Sequence, residues 1–343
     1  MTEIHTTTLV SDLARSGELF QDLELAGYDG AFTFETKHDP FIPLALAAQE
    51  TANLRLGTAI AIAFARNPMT LAQIGNDIQL LSQGRFTLGL GSQIRPHIQR
   101  RYSMPWSHPA ARMRELVLAI RAIWDAWDGT APLDFRGEFY THTLMTPVFD
   151  PGPNPYGRPR IGVAGVGPRM LEVAAAVGDT VMLHPFNSRR SVEQLALPAI
   201  DRGLRSSGRD RCAVEVMAVC LIVTGVTGPD LDEAVAVGRA QLAFYGSTPA
   251  YAPVLACHGW ESLHPRLNAM SKEGRWSDMA ALIPDDLLES IAVVGRRDEI
   301  GRAVAARVEG IADIVSLECT RRPDVEHFAD IVADLRGRLA TTT

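Results

Sequence analysis

Short apolar or β-branched runs alternate with segments of helical period from the start of the chain. IHTTTLV ending at Val10, GAFTFE ending at Glu35, LRLGTAIAIAF ending at Phe64 and RFTLGLG ending at Gly91 have the length and residue types of buried parallel strands. The stretches between them read as crossover helices. Ser11 and Asp12 can cap the first, the second covers residues 43–52, and the third covers 69–81 and stops before Gly84. The rhythm breaks at about 92–159, where a charged loop, a helix over 112–127 and a Gly/Pro-rich connection delay the next strand, so an insertion is expected. RIGVAG (Arg160–Gly165) restarts the alternation, followed by a helix over 168–177, DTVMLHP, a helix near 192–206 and VEVMAVCLIV. A second irregular stretch at about 229–290 precedes ADIVSLE, ending at Glu318, and a last helix ending near Arg338. Eight strand candidates alternating with helices, without a hairpin repeat, predict one (β/α)8 barrel over 1–343 with insertions after the fourth and seventh strands.

Composition narrows the classes. The 343 residues are 46% hydrophobic and 21% charged, a balance that buries a large core and excludes a disordered chain. The net charge of −7, with no extended basic block, repels nucleic acid and anionic membrane surfaces. No run approaches the ~18 apolar residues of a membrane span, and the N-terminus lacks a signal-peptide pattern, so a cytoplasmic protein is expected. Cys212, Cys220, Cys257 and Cys319 are scattered without metal-site spacing, which predicts free thiols and no bound metal.

A βα barrel carries its chemistry at the C-terminal ends of its strands, so candidate residues follow from the strand assignments. The second strand runs into Glu35-Thr36-Lys37-His38-Asp39-Pro40. A helix cap accounts for Asp39 but not for Glu35 or His38, which remain candidate proton carriers. After the fifth strand, Gly165, Gly167, Pro168 and Arg169 form a turn whose free amides suit a phosphate, although such a turn can also carry glycines for geometry alone. Arg95, His97, Arg100 and Arg101 follow the fourth strand, either as a solvated helix end or as a binding site for an anionic tail. His184 ends the sixth strand, where it can donate a hydrogen bond, move a proton, or be satisfied by local backbone. The aromatic stretch Phe244 to Trp260 suits core packing, a lid over the barrel mouth, or a dimer seam.

Five segments, in order, resemble the luciferase-like monooxygenase superfamily, and within it the oxidoreductases dependent on the deazaflavin coenzyme F420. They are ETKHDPFIPLALAA, LGTAIAIAFARNPMTLAQ, LSQGRFTLGLGSQIRPHIQRR, AGVGPRM and AVVGRRDEI, and the resemblance spans nearly the whole chain. It implies a homodimeric barrel acting on a small molecule, with a planar cofactor over the strand mouths. A non-proline cis peptide at Ala59–Ile60 would lie behind the ring beside Ile62. The resemblance carries phosphate and tail contacts to Gly91, Ser92, Gln93 and His97, and to Gly165, Gly167, Pro168 and Arg169. The chain departs from the family's glucose-6-phosphate dehydrogenases at Ile94, where they have an acidic proton donor, and at Asn187, where they have a phosphate-binding lysine. Their strand-two Asp-His pair is replaced by Glu35 to His38, which leaves either residue as the counterpart. The expected activity is hydride transfer between deazaflavin C5 and an alcohol, carbonyl or activated double bond, with His38, Glu35 or His184 moving the proton. An FMN-dependent monooxygenase and a non-catalytic cofactor-binding barrel are the rival expectations.

Overall fold

A computed structural model describes residues 2–320 and 325–341. Eight parallel strands pair in chain order: β1 (Glu3–Thr8), β2 (Gly30–Thr33), β3 (Arg55–Thr58), β4 (Phe86–Gly91), β5 (Arg160–Gly165), β6 (Thr180–Leu183), β7 (Glu215–Val223) and β8 (Ile314–Cys319). Ile314 of β8 lies opposite Glu3 of β1, and Glu215 of β7 opposite Thr180 of β6, so the sheet closes on itself as a TIM barrel and leaves no free edge. Helices on the outside make the crossovers, among them Phe41–Glu50, Pro68–Leu81 and Pro168–Val177. Proline takes the first turn of the last two, where its missing N–H costs nothing, and the Asn67 side chain caps Pro68–Leu81 by accepting the Thr70 N–H.

Several expected boundaries shift. β1 stops at Thr8 rather than Val10, and β2 at Thr33 rather than Glu35, because apolar residues continue past the last ladder hydrogen bond into the packed turns. The expected third strand is broken. After Thr58 comes a cis peptide at Ala59–Ile60, a two-residue strand Ala61–Ile62 pairs with β4, and Ala63–Ala65 coils into a 3-10 turn. Ser11 and Asp12 do not cap the first helix. It begins at Ser16, while Asp12 accepts the Ala14 N–H at 3.0 Å in a turn of its own. The second helix starts at Phe41, where Asp39 accepts the amide at 2.9 Å.

The insertion after β4 holds a wide helical turn (His97–Arg101), the helix Pro109–Trp127 and a two-residue antiparallel pairing of Phe135–Arg136 with Thr141–His142. The insertion after β7 is helical, led by Gly228–Gly246, and buries its own apolar cluster with Leu242, Leu255, Leu267 and Leu287. It returns through Ala292–Val294, a short strand missed by the hydrophobic pattern that pairs with the end of β7.

Period-two alternation decides what fills the barrel. Phe32, Met182, Met217 and Ile314 meet inside it, with Ala59, Ile60, Ala164 and Val219 packed against them. A Cβ on Gly162 would lie 2.3 Å from Met182 Cε, and one on Gly89 would lie 2.8 Å from the same atom. The glycines of β4 and β5 thus make room for the Met182 thioether, which plugs the middle of the barrel. Anything bound must lie above this layer, at the C-terminal mouth.

Candidate active site

Around the mouth, β2 and β6 face one another across the barrel, as do β4 and β8, because three strands lie between the members of each pair on either side of the closed ring. Glu35 and His38, beyond β2, therefore stand on the side opposite His184, beyond β6. The three proposed proton carriers do not form one cluster.

Glu35 is deeply engaged. One carboxylate oxygen accepts the Ile62 N–H and an Arg66 guanidinium N–H, each at 2.7 Å, and the other accepts the Tyr102 hydroxyl at 3.0 Å. Its own amide donates to the Ile60 carbonyl at 3.2 Å. Glu35 thus clamps the broken third strand to the end of β2, and its oxygens already have three donors. His38 is exposed and makes no side-chain hydrogen bond among the described residues.

The β4–β5 side carries glycines at the strand ends and polar side chains in the loops beyond them. Gly91 faces Ile60 so closely that a Cβ would come within 2.6 Å of Cγ1, which keeps Ile60 and half-buried Ala59 at the rim. Ser92 donates to the Gln93 carbonyl at 3.1 Å, and Gln93, with φ at 59°, folds its own carboxamide onto the Ile94 N–H. His97 opens the wide turn and is exposed. Of the arginines behind it, Arg95 pairs with Gln99 and Arg101 donates to the Thr36 carbonyl at 2.6 Å, so Arg101 ties two mouth loops together. After β5, Gly167 stands at the N-cap of Pro168–Val177 with no side-chain cap, and a Cβ there would meet nothing within 4 Å. Arg169 lies exposed in the first turn. An uncapped helix start with open space before it and a cation beside it is the chemistry that receives a phosphate.

The β6–β8 side is polar and aromatic. The His184 ring lies 4.7 Å from Tyr245 and 4.6 Å from Tyr251, centroid to centroid. Its Nδ1 accepts the Phe186 N–H at 3.0 Å, which leaves Nε2 to carry the proton. Burial lowers its pKa to about 3, so His184 is neutral at ordinary pH. Glu318 lies on the same strand face as Ile314, two steps nearer the mouth, with Ser316 between them bonded to Thr7 at 2.8 Å. Gln241 donates to Glu318 at 2.9 Å and also reaches the Tyr245 hydroxyl at 3.1 Å. Burial, only partly offset by Gln241, raises the Glu318 pKa to about 7. Sequence reasoning did not single out Glu318, although it ends the last strand and the strand-mouth rule applied to earlier strands would have flagged it. Tyr245 and Tyr251 lay inside the aromatic stretch Phe244 to Trp260. That stretch divides: these two rings pack against His184, Val254 and Leu255 join the core of the insertion, and Phe244 packs on Trp276 at the surface.

Two clefts of about 580 and 650 Å³ lie elsewhere, one between Phe41–Glu50 and Pro68–Leu81 and the other at the N-terminal end of the barrel among Arg211, Arg302 and Asp313. The first includes Asp39, Ala65 and Arg66 from the loops after the second and third strands but none of the β4–β8 mouth residues, and the second lies at the opposite end of the barrel. Among the described residues no group of His, Cys, Asp or Glu is arranged to hold a metal, and no helix is long and apolar enough to cross a membrane.

A closed parallel barrel of eight strands surrounded by helices is a TIM barrel, a fold that carries its sites at the C-terminal mouth. The profile of the luciferase-like monooxygenase family matches residues 2–313, and the chain belongs to that family. An uncharacterised protein of Mycobacterium tuberculosis is 51% identical over 308 residues, covering 90% of this chain and 91% of that protein. The 5,10-methylenetetrahydromethanopterin reductase of Archaeoglobus fulgidus is 27% identical over 288 residues, 81% of each chain. The solved coenzyme F420 dependent tetrahydromethanopterin reductase from Methanopyrus kandleri shares the fold, with a TM-score of 0.78 at 19% identity over 96% of this chain and 97% of that one. Members of the family are oxidoreductases or monooxygenases, so the chain is an enzyme of that broad kind.

Proposed function

We propose that the protein is an F420-dependent oxidoreductase that transfers a hydride between the deazaflavin and a small alcohol, carbonyl or activated C=C substrate. The observation that carries this reading is the uncapped start of Pro168–Val177 at Gly167, which has open space before it and the exposed Arg169 beside it, at the mouth of the closed barrel. When bound, the deazaflavin supplies two-electron hydride chemistry at C5. Ala59 and Ile60 back the ring, the fully buried Ile62 supports them from the core instead of meeting the ring as the resemblance implied, and Glu35 holds that bulge through Ile62 and Tyr102. Gly165, Gly167, Pro168 and Arg169 take the phosphate, while Ser92, Gln93 and His97 border the tail. Beside them on β6, His184 is neutral, with its Nδ1 taken by the Phe186 N–H and the proton on Nε2. The likeness to the 5,10-methylenetetrahydromethanopterin reductase of Archaeoglobus fulgidus supports a reductase over a monooxygenase.

Titrating the purified protein with F420 and with FMN, each followed by its own fluorescence, tests the assignment. Tighter F420 binding with F420-linked turnover is expected. Tighter FMN binding with oxygen consumption would make the protein a flavin monooxygenase, and binding without turnover across alcohols, ketones and enones would make it a carrier. We further propose a homodimer, supported by the exposed Ile42 and Leu46 on Phe41–Glu50, and light scattering should return twice the chain mass.

A further inference from the structure

The polar β6–β8 side of the mouth contains a carboxyl group that makes no ion pair among the described residues. Glu318 projects into the barrel mouth from β8, opposite the glycines of β4, so a flat ligand lying over Gly91 would have Glu318 on its far side. Its surroundings are unusual for a carboxyl group. The Gln241 carboxamide contacts it, the hydroxyl-bearing rings of Tyr245 and Tyr251 lie near, and the His184 ring packs against both rings. No lysine, arginine or histidine pairs with it among the described residues, in contrast to Glu35, which Arg66 holds at 2.7 Å. The next residue, Cys319, points to the other face of the strand, as alternation requires. The residue is half-buried at the mouth end of β8.

We propose that Glu318 is a catalytic residue that exchanges a proton with the oxygen of a neutral ketone or secondary-alcohol substrate, while Gln241, Tyr245 and Tyr251 orient that oxygen. The inference rests on the deazaflavin reading for its hydride donor. In reduction, the carbonyl carbon gains a hydride with its electron pair from the reduced deazaflavin, and the carbonyl π pair moves to oxygen. The Glu318 proton then completes the hydroxyl. The carboxylate regains a proton from solvent, to which the oxidised deazaflavin returns one, so atoms and electrons balance. Burial holds the Glu318 pKa at about 7, so the carboxyl is half protonated where the reaction runs and can serve either direction. Neutral His184 cannot do this, because its lowered pKa of about 3 leaves it without a second proton to give. The absence of a paired cation among the described residues also selects the substrate: a phosphate or carboxylate next to Glu318 would meet like charge with nothing to neutralise it.

Three measurements on the full chain test this. Infrared difference spectra of wild type against Glu318→Gln, without cofactor, should show a protonated-carboxyl band at pH 6 that is lost by pH 8. With F420, Glu318→Gln should bind the cofactor within about threefold of wild type and lower kcat/KM for simple ketones ~10²–10⁴-fold. The pH profile should lose its limb near neutrality, with partial rescue in Glu318→Asp. Unchanged turnover in Glu318→Gln, or no carboxyl band at pH 6, overturns this inference alone. A wild type that binds no F420 overturns the proposed function along with it.

Discussion

Replacing Glu35 with Ala removes the clamp between β2 and the broken third strand. The side chain is 6% exposed and its main partner, Arg66, 18% exposed, so water does not readily replace the lost contacts. The charge-assisted bond from Arg66 is worth ~1.5–3 kcal/mol, and the Ile62 amide, buried and without its acceptor, adds ~1–3 kcal/mol. Two effects offset part of this: Arg66 keeps Asp39 at 2.8 Å, and the partly exposed Tyr102 hydroxyl can turn to water. The expected net loss is ~3–5 kcal/mol, in line with breaking a buried ion pair from one side. Urea unfolding with an unchanged slope measures it. Asp39→Ala, which removes a 40% exposed ion-pair partner and the acceptor of the Phe41 N–H, should cost ~1–2 kcal/mol, less than Glu35→Ala. A double-mutant cycle with Arg66→Met should return a coupling of ~1–3 kcal/mol. A loss below ~1 kcal/mol for Glu35→Ala, or no coupling to Arg66, would refute the clamp. Glu35 would then be free to act as the mobile proton carrier suggested by the sequence.

The other predictions concern single groups. Gly167→Glu meets open space at ordinary φ and ψ, so stability should hold within ~0.5 kcal/mol while F420 and FMN binding fall at least tenfold; equal affinity by fluorescence titration would remove the phosphate from this turn. Gly89→Ala would place Cβ 1.7 Å from the Thr58 carbonyl oxygen, and a loss of at least ~3 kcal/mol, or failure to fold, should appear in denaturation and near-UV circular dichroism. The His184 imidazole should remain neutral with its proton on Nε2 throughout pH 5–8, and an NMR titration with a midpoint near the ordinary histidine value would contradict its burial. The folded Glu318 pKa is raised from 4.5 to about 7, so the folded state holds the extra proton in that window and stability falls as pH rises through it. Relative to Glu318→Gln, wild type should lose up to ~3 kcal/mol between about pH 4.5 and 7.5, at about 1.36 kcal/mol for each pH unit separating the unfolded and folded values; a difference that stays flat with pH would count against the raised pKa.

The chain order of strands and helices was legible locally. Runs such as RFTLGLG and RIGVAG carry enough apolar and glycine character to be recognised as buried barrel strands without any tertiary knowledge, and the two insertions announced themselves by breaking the rhythm. Boundaries were less legible at Val10, Glu35 and Ser11, because a strand ends where its ladder hydrogen bonds stop and a helix starts where its amides find an acceptor. Both depend on neighbouring strands and turns.

What the sequence determined alone is therefore periodicity: which residues point into a strand's packed face, and that eight such strands alternate with helices. Only the closed ring decided which mouths oppose one another. It separated His184 from Glu35 and His38, committed Glu35 to Arg66, Ile62 and Tyr102, and set Glu318 across from Gly91 beneath tyrosines supplied by an insertion about 70 residues earlier in the chain. Hydrophobic alternation acts between residues two apart. The environment of an ionisable group depends on everything within a few ångströms, and in a barrel those neighbours come from strands far apart in sequence.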